Sequence, residues 1–205
     1  MRPRQTRIIV ATVVLAVSSA LVLTGCSSNS DTNTGLSAQY RDGGTKNYVS
    51  GDGTVTQVPT ANRKTVIDFD EVSSDGEPMR SADLQGKVVV LNFWYAACPP
   101  CRAEAKHLNT VWDRYQDQNV QMIGVNVRDA KGTADAFERR FNIPYPSVLD
   151  NDQARMQLAL SGEVAPNAVP TTIVLDTKGR VAARIVGAID GPGTLSTLID
   201  DELRR

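Results

Sequence analysis

Histidine and cysteine are scarce in this chain, with one histidine and three cysteines among 205 residues. A closed zinc site takes four Cys or His ligands, so the sequence has hardly the means to build one. Neither sign of charge is in excess, since the formal net charge is −1. Without a basic stripe to grip phosphates, nucleic acid is excluded as a partner. No apolar run reaches the ~20 residues that span a bilayer, and no segment repeats. What the chain does hold is one mostly apolar stretch near its start, Ile8 to Leu23, and two cysteines set two residues apart, Cys98 and Cys101.

Arg2, Arg4 and Arg7 precede the apolar stretch, which closes on Leu23-Thr24-Gly25-Cys26. A basic start, an apolar middle and small residues before a cleavage point describe an export signal. The closing string resembles a bacterial lipobox, which implies a signal peptide of residues 1–25, cleavage before Cys26 and a diacylglycerol on its sulfur. The other reading of the same residues is an uncleaved membrane anchor. Either one places the folded part outside the cytoplasm, held to the lipid bilayer. Loss of residues 1–25 removes three arginines and no acid, leaving a net charge of −4. With Cys26 consumed by lipid, Cys98 and Cys101 are the only pair left, in a compartment where disulfides persist.

Residues 26–61 are rich in Ser, Thr, Asn, Asp and Gly and poor in apolar residues. They read as a flexible membrane tether, because too little surface is buried to offset the entropy of ordering. As a coil of that length they span roughly 30 to 35 Å. From residue 62 to 205 strand and helix signals alternate. KVVVLNFW (87–94) is a continuous β-branched run, as expected of a strand covered on both faces. Leu108, Val111, Trp112 and Tyr115 form one stripe on a helix from about Pro99 to Asp117. VQMIGVNV (120–127) is a second buried strand, and 132–141 a helix stopped by Pro144 and Pro146. Residues 172–176 and 181–186 read as a hairpin, and a last amphipathic helix starts near Pro192. Asp150-Asn151-Asp152 reads as a turn, and Asp200-Asp201-Glu202 as a solvated helix face. Parallel strands joined by crossover helices and finished by a hairpin and helix make an α/β fold, a three-layer α/β/α sandwich around one mixed sheet.

Bare C-x-x-C spacing also occurs in zinc ribbons. Here the one candidate third ligand, His107, lies about 180° round the helix from Cys98. Redox chemistry fits better. Pro99 belongs at the first helical position, where its missing N–H costs nothing, which makes Cys98 the N-cap. There the free amides and the positive end of the helix dipole stabilise a sulfur anion. Cys101 sits one turn in, less exposed and within disulfide reach. The pair predicts thiol–disulfide exchange in which Cys98 attacks and Cys101 resolves, with no cofactor beyond the disulfide itself.

The string GKVVVLNFWYAACPPCRAE, followed much later by VPTTIVLDTKGRV, resembles the thioredoxin superfamily. More narrowly it is similar to the membrane-tethered extracytoplasmic branch of TlpA- and ResA-like thiol–disulfide oxidoreductases. The resemblance covers about residues 62–203. It implies a cis-proline loop at Val169-Pro170-Thr171 that faces the redox pair, with the backbone of Val169 pairing an extended substrate segment. It also implies that Glu104 is an active-site glutamate, one turn from Cys101, exchanging protons with that sulfur through water. Trp94, Pro99 and Pro100 would join Val169 in contacting substrate. Three positions depart from the family: Ala97 replaces a tryptophan, Tyr95 a small residue, and Asn92 stands where cytoplasmic thioredoxins keep a buried aspartate.

By analogy the activity is reduction of protein disulfides, with electrons from a membrane thiol carrier and apocytochrome c among the clients. A disulfide-forming oxidase remains open, because CPPC does not fix a redox potential. A peroxiredoxin-type peroxidase shares the fold but wants a threonine where Tyr95 stands. A non-catalytic binding lipoprotein is the third class.

Overall fold

The computed structural model describes residues 53–64, 66–163 and 168–205. The signal segment, Cys26 and most of the expected tether therefore lie outside the described residues. Among the described residues eight strands follow in chain order: β1 (Thr54–Gln57), β2 (Asp70–Val72), β3 (Pro78–Arg80), β4 (Val88–Trp94), β5 (Val120–Asn126), β6 (Ser147–Leu149), β7 (Thr171–Leu175) and β8 (Val181–Val186). Interleaved with them are α1 (Pro99–Tyr115), α2 (Lys131–Phe141), α3 (Arg155–Ala159) and α4 (Pro192–Leu203). Among the described residues no helix is long and apolar enough to cross a membrane.

The main sheet runs β1-β8-β7-β4-β5-β6. Strands β4, β5 and β6 are parallel, joined by the crossovers that contain α1 and α2. Strand β7 returns antiparallel to β4, and β8 and β1 continue the antiparallel side. This is the mixed sheet flanked by helices that the sequence predicts.

All seven residues of β4 are buried, and the period of two sends alternate side chains to opposite layers. Val88 and Val90 pack under α1 and α4, against Leu108, Val111, Tyr115, Leu195, Leu198 and Ile199. Val89, Leu91 and Phe93 face the other way, toward Ile67, Phe69, Met156 and Leu160. The same alternation delivers Asn92 and Trp94, at the strand's C-terminal end, to the α1 face. A Cβ added to Gly124 of β5 would lie 2.9 Å from Trp94 Nε1. Glycine there lets β5 pass close behind the indole.

Two expectations change. The folded part begins within the segment read as tether, since Thr54–Gln57 pairs along β8. All four side chains are exposed, so this edge strand is held by its backbone and leaves no apolar pattern to read. Glu202 is also not on a solvated face. Its carboxylate grips the guanidinium of Arg63 at 2.6 and 2.7 Å, while Asp176 meets the same group at 3.0 Å. The partner lies far away in sequence, so the acidic run alone could not reveal it. The Asp150 turn is real, and its carboxylate accepts the Met156 and Gln157 amides at 2.9 and 3.0 Å, tying the turn to α3.

Candidate active site

Strand β4 ends at Trp94, and the chain turns through Tyr95, Ala96 and Ala97 before α1 begins. The turn is anchored from outside. The Ala96 amide donates to Asp129 Oδ2 at 2.6 Å, and Asn126 Nδ2 donates to the same oxygen at 2.8 Å. Cys98 is the N-cap of α1 and Pro99 its first residue. The Cys101 amide points at Cys98 Sγ from 3.2 Å, so a free helix-end donor faces the sulfur predicted to become an anion. Cys98 and Cys101 are joined as a disulfide, with Cα atoms 5.3 Å apart.

Both sulfurs are more deeply covered than the sequence predicts. Cys98 is 0 % exposed and Cys101 2 %, so the expected order of exposure is not seen in the oxidised pair. The cover comes from a cluster of Trp94, Tyr95, Phe137 and Val169, contributed by three separate parts of the chain. The Val169–Pro170 bond is cis, and the Val169 carbonyl oxygen lies 4.0 Å from Cys98 Sγ. That loop is pinned at both ends: Thr171 Oγ1 donates to the Ala168 carbonyl at 2.7 Å, and the Gly187 amide donates to the Pro170 carbonyl at 2.8 Å. Pro99 is exposed and Pro100 half-buried, which leaves the two prolines on the outer rim of the pair.

Glu104 lies one turn beyond Cys101 and is 0 % exposed. Its Oε1 accepts from Asn92 Nδ2 at 2.9 Å, and its Oε2 accepts from the Ile189 amide at 3.0 Å. Asn92 Nδ2 also reaches Thr172 Oγ1 at 3.2 Å. Burial pushes the Glu104 carboxyl up to about 7, against the two N–H donors that favour its charge. A carboxyl titrating there can both take and return a proton near neutrality. Asn92 cannot titrate, so where cytoplasmic thioredoxins keep a buried acid this chain has an amide that holds one supplied by the helix.

A cavity of about 10 Å³, near the minimum that holds one water, is walled by Cys101, Asn92, Trp94, Leu108, Phe137 and Tyr145. Its walls thus include both Cys101 and Asn92, the residue that donates to Glu104. The Tyr145 hydroxyl is held neutral, first by burial and then by the Glu104 and Glu138 carboxylates. Sequence reading missed Ile189 and Tyr145 as neighbours of the pair; it marked Asn92 as standing at the position of a buried aspartate, but not as the group that holds Glu104. Among the described residues no group of three His, Cys, Asp or Glu is placed to hold a metal ion.

Comparison with known proteins follows the same lines. The sequence profile of the AhpC/TSA family matches residues 63–184. The thiol-disulfide oxidoreductase ResA of Geobacillus thermodenitrificans is 34% identical over 125 residues, which make up 61% of this chain and 69% of that protein. A DsbF homologue from Corynebacterium diphtheriae superposes with a TM-score of 0.64 at 32% identity, over 75% of this chain and 96% of that one. A secreted thiol-disulfide isomerase from Corynebacterium glutamicum gives the same TM-score, 0.64, at 29% identity and the same coverage, 75% and 96%.

Proposed function

Because this chain belongs to the AhpC/TSA family and is a thiol–disulfide oxidoreductase related to ResA, we propose that it reduces the disulfides of protein clients at the outer face of the cytoplasmic membrane. Cys98 is the nucleophile and Cys101 the resolving thiol. The observation that carries the assignment is the Cys101 amide directed at Cys98 Sγ from 3.2 Å at the start of α1.

In the reduced protein the Cys98 thiolate attacks one sulfur of a client disulfide. A Cys98–client mixed disulfide forms, and the client's other sulfur leaves as a thiolate that takes up a proton. The Cys101 thiol gives its proton through water to the Glu104 carboxylate, one helix turn away, and attacks Cys98 Sγ. The second client thiolate is released, and the Cys98–Cys101 disulfide described above is the product. A dithiol carrier in the membrane then restores the reduced pair. The lipobox-like Cys26 supplies the anchor, and the segment between it and the folded domain is the spacer. Pro170 and the Val169 backbone receive the client strand, flanked by Trp94, Pro99 and Pro100. Apocytochrome c, whose haem-binding cysteines must be reduced before ligation, is a client of the required kind. The position three residues before Cys98 is Tyr95, buried and lying under the Arg128 guanidinium at 4.1 Å. Peroxidase chemistry, which wants a threonine there, is not supported by it.

The reduction potential of the Cys98–Cys101 couple tests the direction. A reductase requires a value at or below roughly −230 mV, in the range of reducing thioredoxin-like couples. A value near −120 mV, that of a strong oxidant, would overturn the reductase reading and favour disulfide formation.

A further inference from the structure

The aromatic side chains of the site continue outward as a ladder. Trp94 stacks on Phe137 with centroids 4.4 Å apart, and Phe137 meets Phe141 at 4.6 Å. Phe141 is half-buried, and two exposed guanidinium groups flank its ring, Arg102 at 5.7 Å and Arg140 at 6.0 Å. Arg102 directly follows Cys101. On the other side of the pair the exposed Arg128 lies over Tyr95.

Among the described residues six arginines are matched with acids, whereas Arg139, Arg155 and Arg184 make no ion pair. Arg63, Arg80, Arg114, Arg180, Arg204 and Arg205 each pair with a carboxylate. Arg102 and Arg140 likewise have no carboxylate partner among the described residues, and both sit around one ring. The acid in the adjoining loop, Asp129, is already bound to the Ala96 amide and to Asn126. Two guanidinium groups without a carboxylate partner thus stand at the Phe141 ring, beside the pair, in a chain whose overall charge is negative. A guanidinium laid against an aromatic ring keeps its outward edge free to grip a carboxylate in a fixed fork.

We propose that this face docks client segments bearing acidic side chains next to the cysteine that Cys98 attacks, with Arg102 and Arg140 as the recognising cations. The inference rests on the exchange activity proposed above and narrows its substrate class. A carboxylate between the two guanidinium groups holds the client's cysteine over the N-terminus of α1. The same cations could instead serve an anionic lipid surface. The protein partner is favoured because Arg102 directly follows Cys101, where a bilayer pressed against it would block clients from the pair.

The test uses the full chain, reduced, and three disulfide peptides that differ only in residues flanking the cysteines: glutamate, serine or arginine. The acidic peptide is expected to react about tenfold faster than the basic one at low salt, with the difference collapsing when salt shortens the screening length. In the Arg102→Gln/Arg140→Gln double variant the acidic-to-basic ratio falls to near one, and the ratio cancels any general change in reactivity. Equal rates for the three peptides with the unsubstituted chain, or a ratio unchanged in the double variant, overturn the proposal while leaving exchange intact. If neither the peptides nor a small-molecule disulfide is reduced, the activity itself is wrong and the docking proposal falls with it. Binding to phosphatidylglycerol vesicles that the double substitution abolishes, with the peptide ratio unmoved, assigns the arginines to lipid instead.

Discussion

Cys101→Ser is expected to leave the chain covalently joined to its clients through Cys98, and Cys98→Ser to lower exchange by about three orders of magnitude or more. The two outcomes differ because the sulfurs do different work at one helix turn. Only Cys98 occupies the N-cap, and only its sulfur receives a helix-end amide, that of Cys101. With Cys101 removed the first attack still proceeds, but nothing returns to break the mixed disulfide. The adducts are resolved by non-reducing gel electrophoresis and mass spectrometry. Adducts on Cys101 in a Cys98→Ser chain, with none on Cys98 in the converse variant, would reverse the assignment. Burial makes this a demanding prediction. Cys98 is sealed in the oxidised state beneath Tyr95, Trp94 and Val169, so attack on a client requires the reduced sulfur to emerge. The 168–170 loop is the natural cover to shift, since its Val169 carbonyl stands 4.0 Å from the sulfur.

Glu104 gives the second large effect, in the dependence of stability on pH. Its folded-state carboxyl is raised from 4.5 to about 7, with burial as the main cause. Between those values the folded chain holds a proton that the unfolded chain has released. Stability therefore falls as pH rises through the window from 4.5 to about 7 and levels off above it. At 1.36 kcal/mol per unit the loss amounts to about 3 kcal/mol. In Glu104→Gln this component is absent, so the difference in unfolding free energy between the oxidised parent and the variant should slope across the window. Denaturant titrations at a series of pH values measure it, and a flat difference would show that Glu104 is not titrating in the interior. The same substitution should flatten the pH profile of the resolving step near neutrality, where the parent's carboxyl accepts the Cys101 proton. Neither effect is expected of a glutamate exposed on a helix surface.

What could be read from sequence divides along physical lines. Strand β4, the helix beginning at Pro99 and the redox pair between them were legible because each depends on residues adjacent in the chain: an apolar run, a proline at the first helical position, a cysteine just before it. The position of Glu104, one turn from Cys101, followed from helix spacing alone. Its confinement did not, because the groups that enclose it, Asn92 and the Ile189 amide, come from β4 and from the loop before α4. The burial of Cys98 was hidden for the same reason, since Phe137 joins the cluster around the pair from α2. Strand β1 was missed because four exposed side chains carry no hydrophobic signal, and α3 because five residues are too few to show a helical period. The pairing of Arg63 with Glu202 was invisible in an acidic run that looked like ordinary helix surface.

The account turns on ready ionisation of the sulfur at position 98, and alkylation of the reduced full chain across a range of pH, with each modified cysteine mapped, tests that most directly. Cys98 should react first, reaching half its maximal rate at a pH below the ~8.5 of an unperturbed thiol. Prior modification of Cys101, or a Cys98 that reacts only at or above that pH, would contradict it.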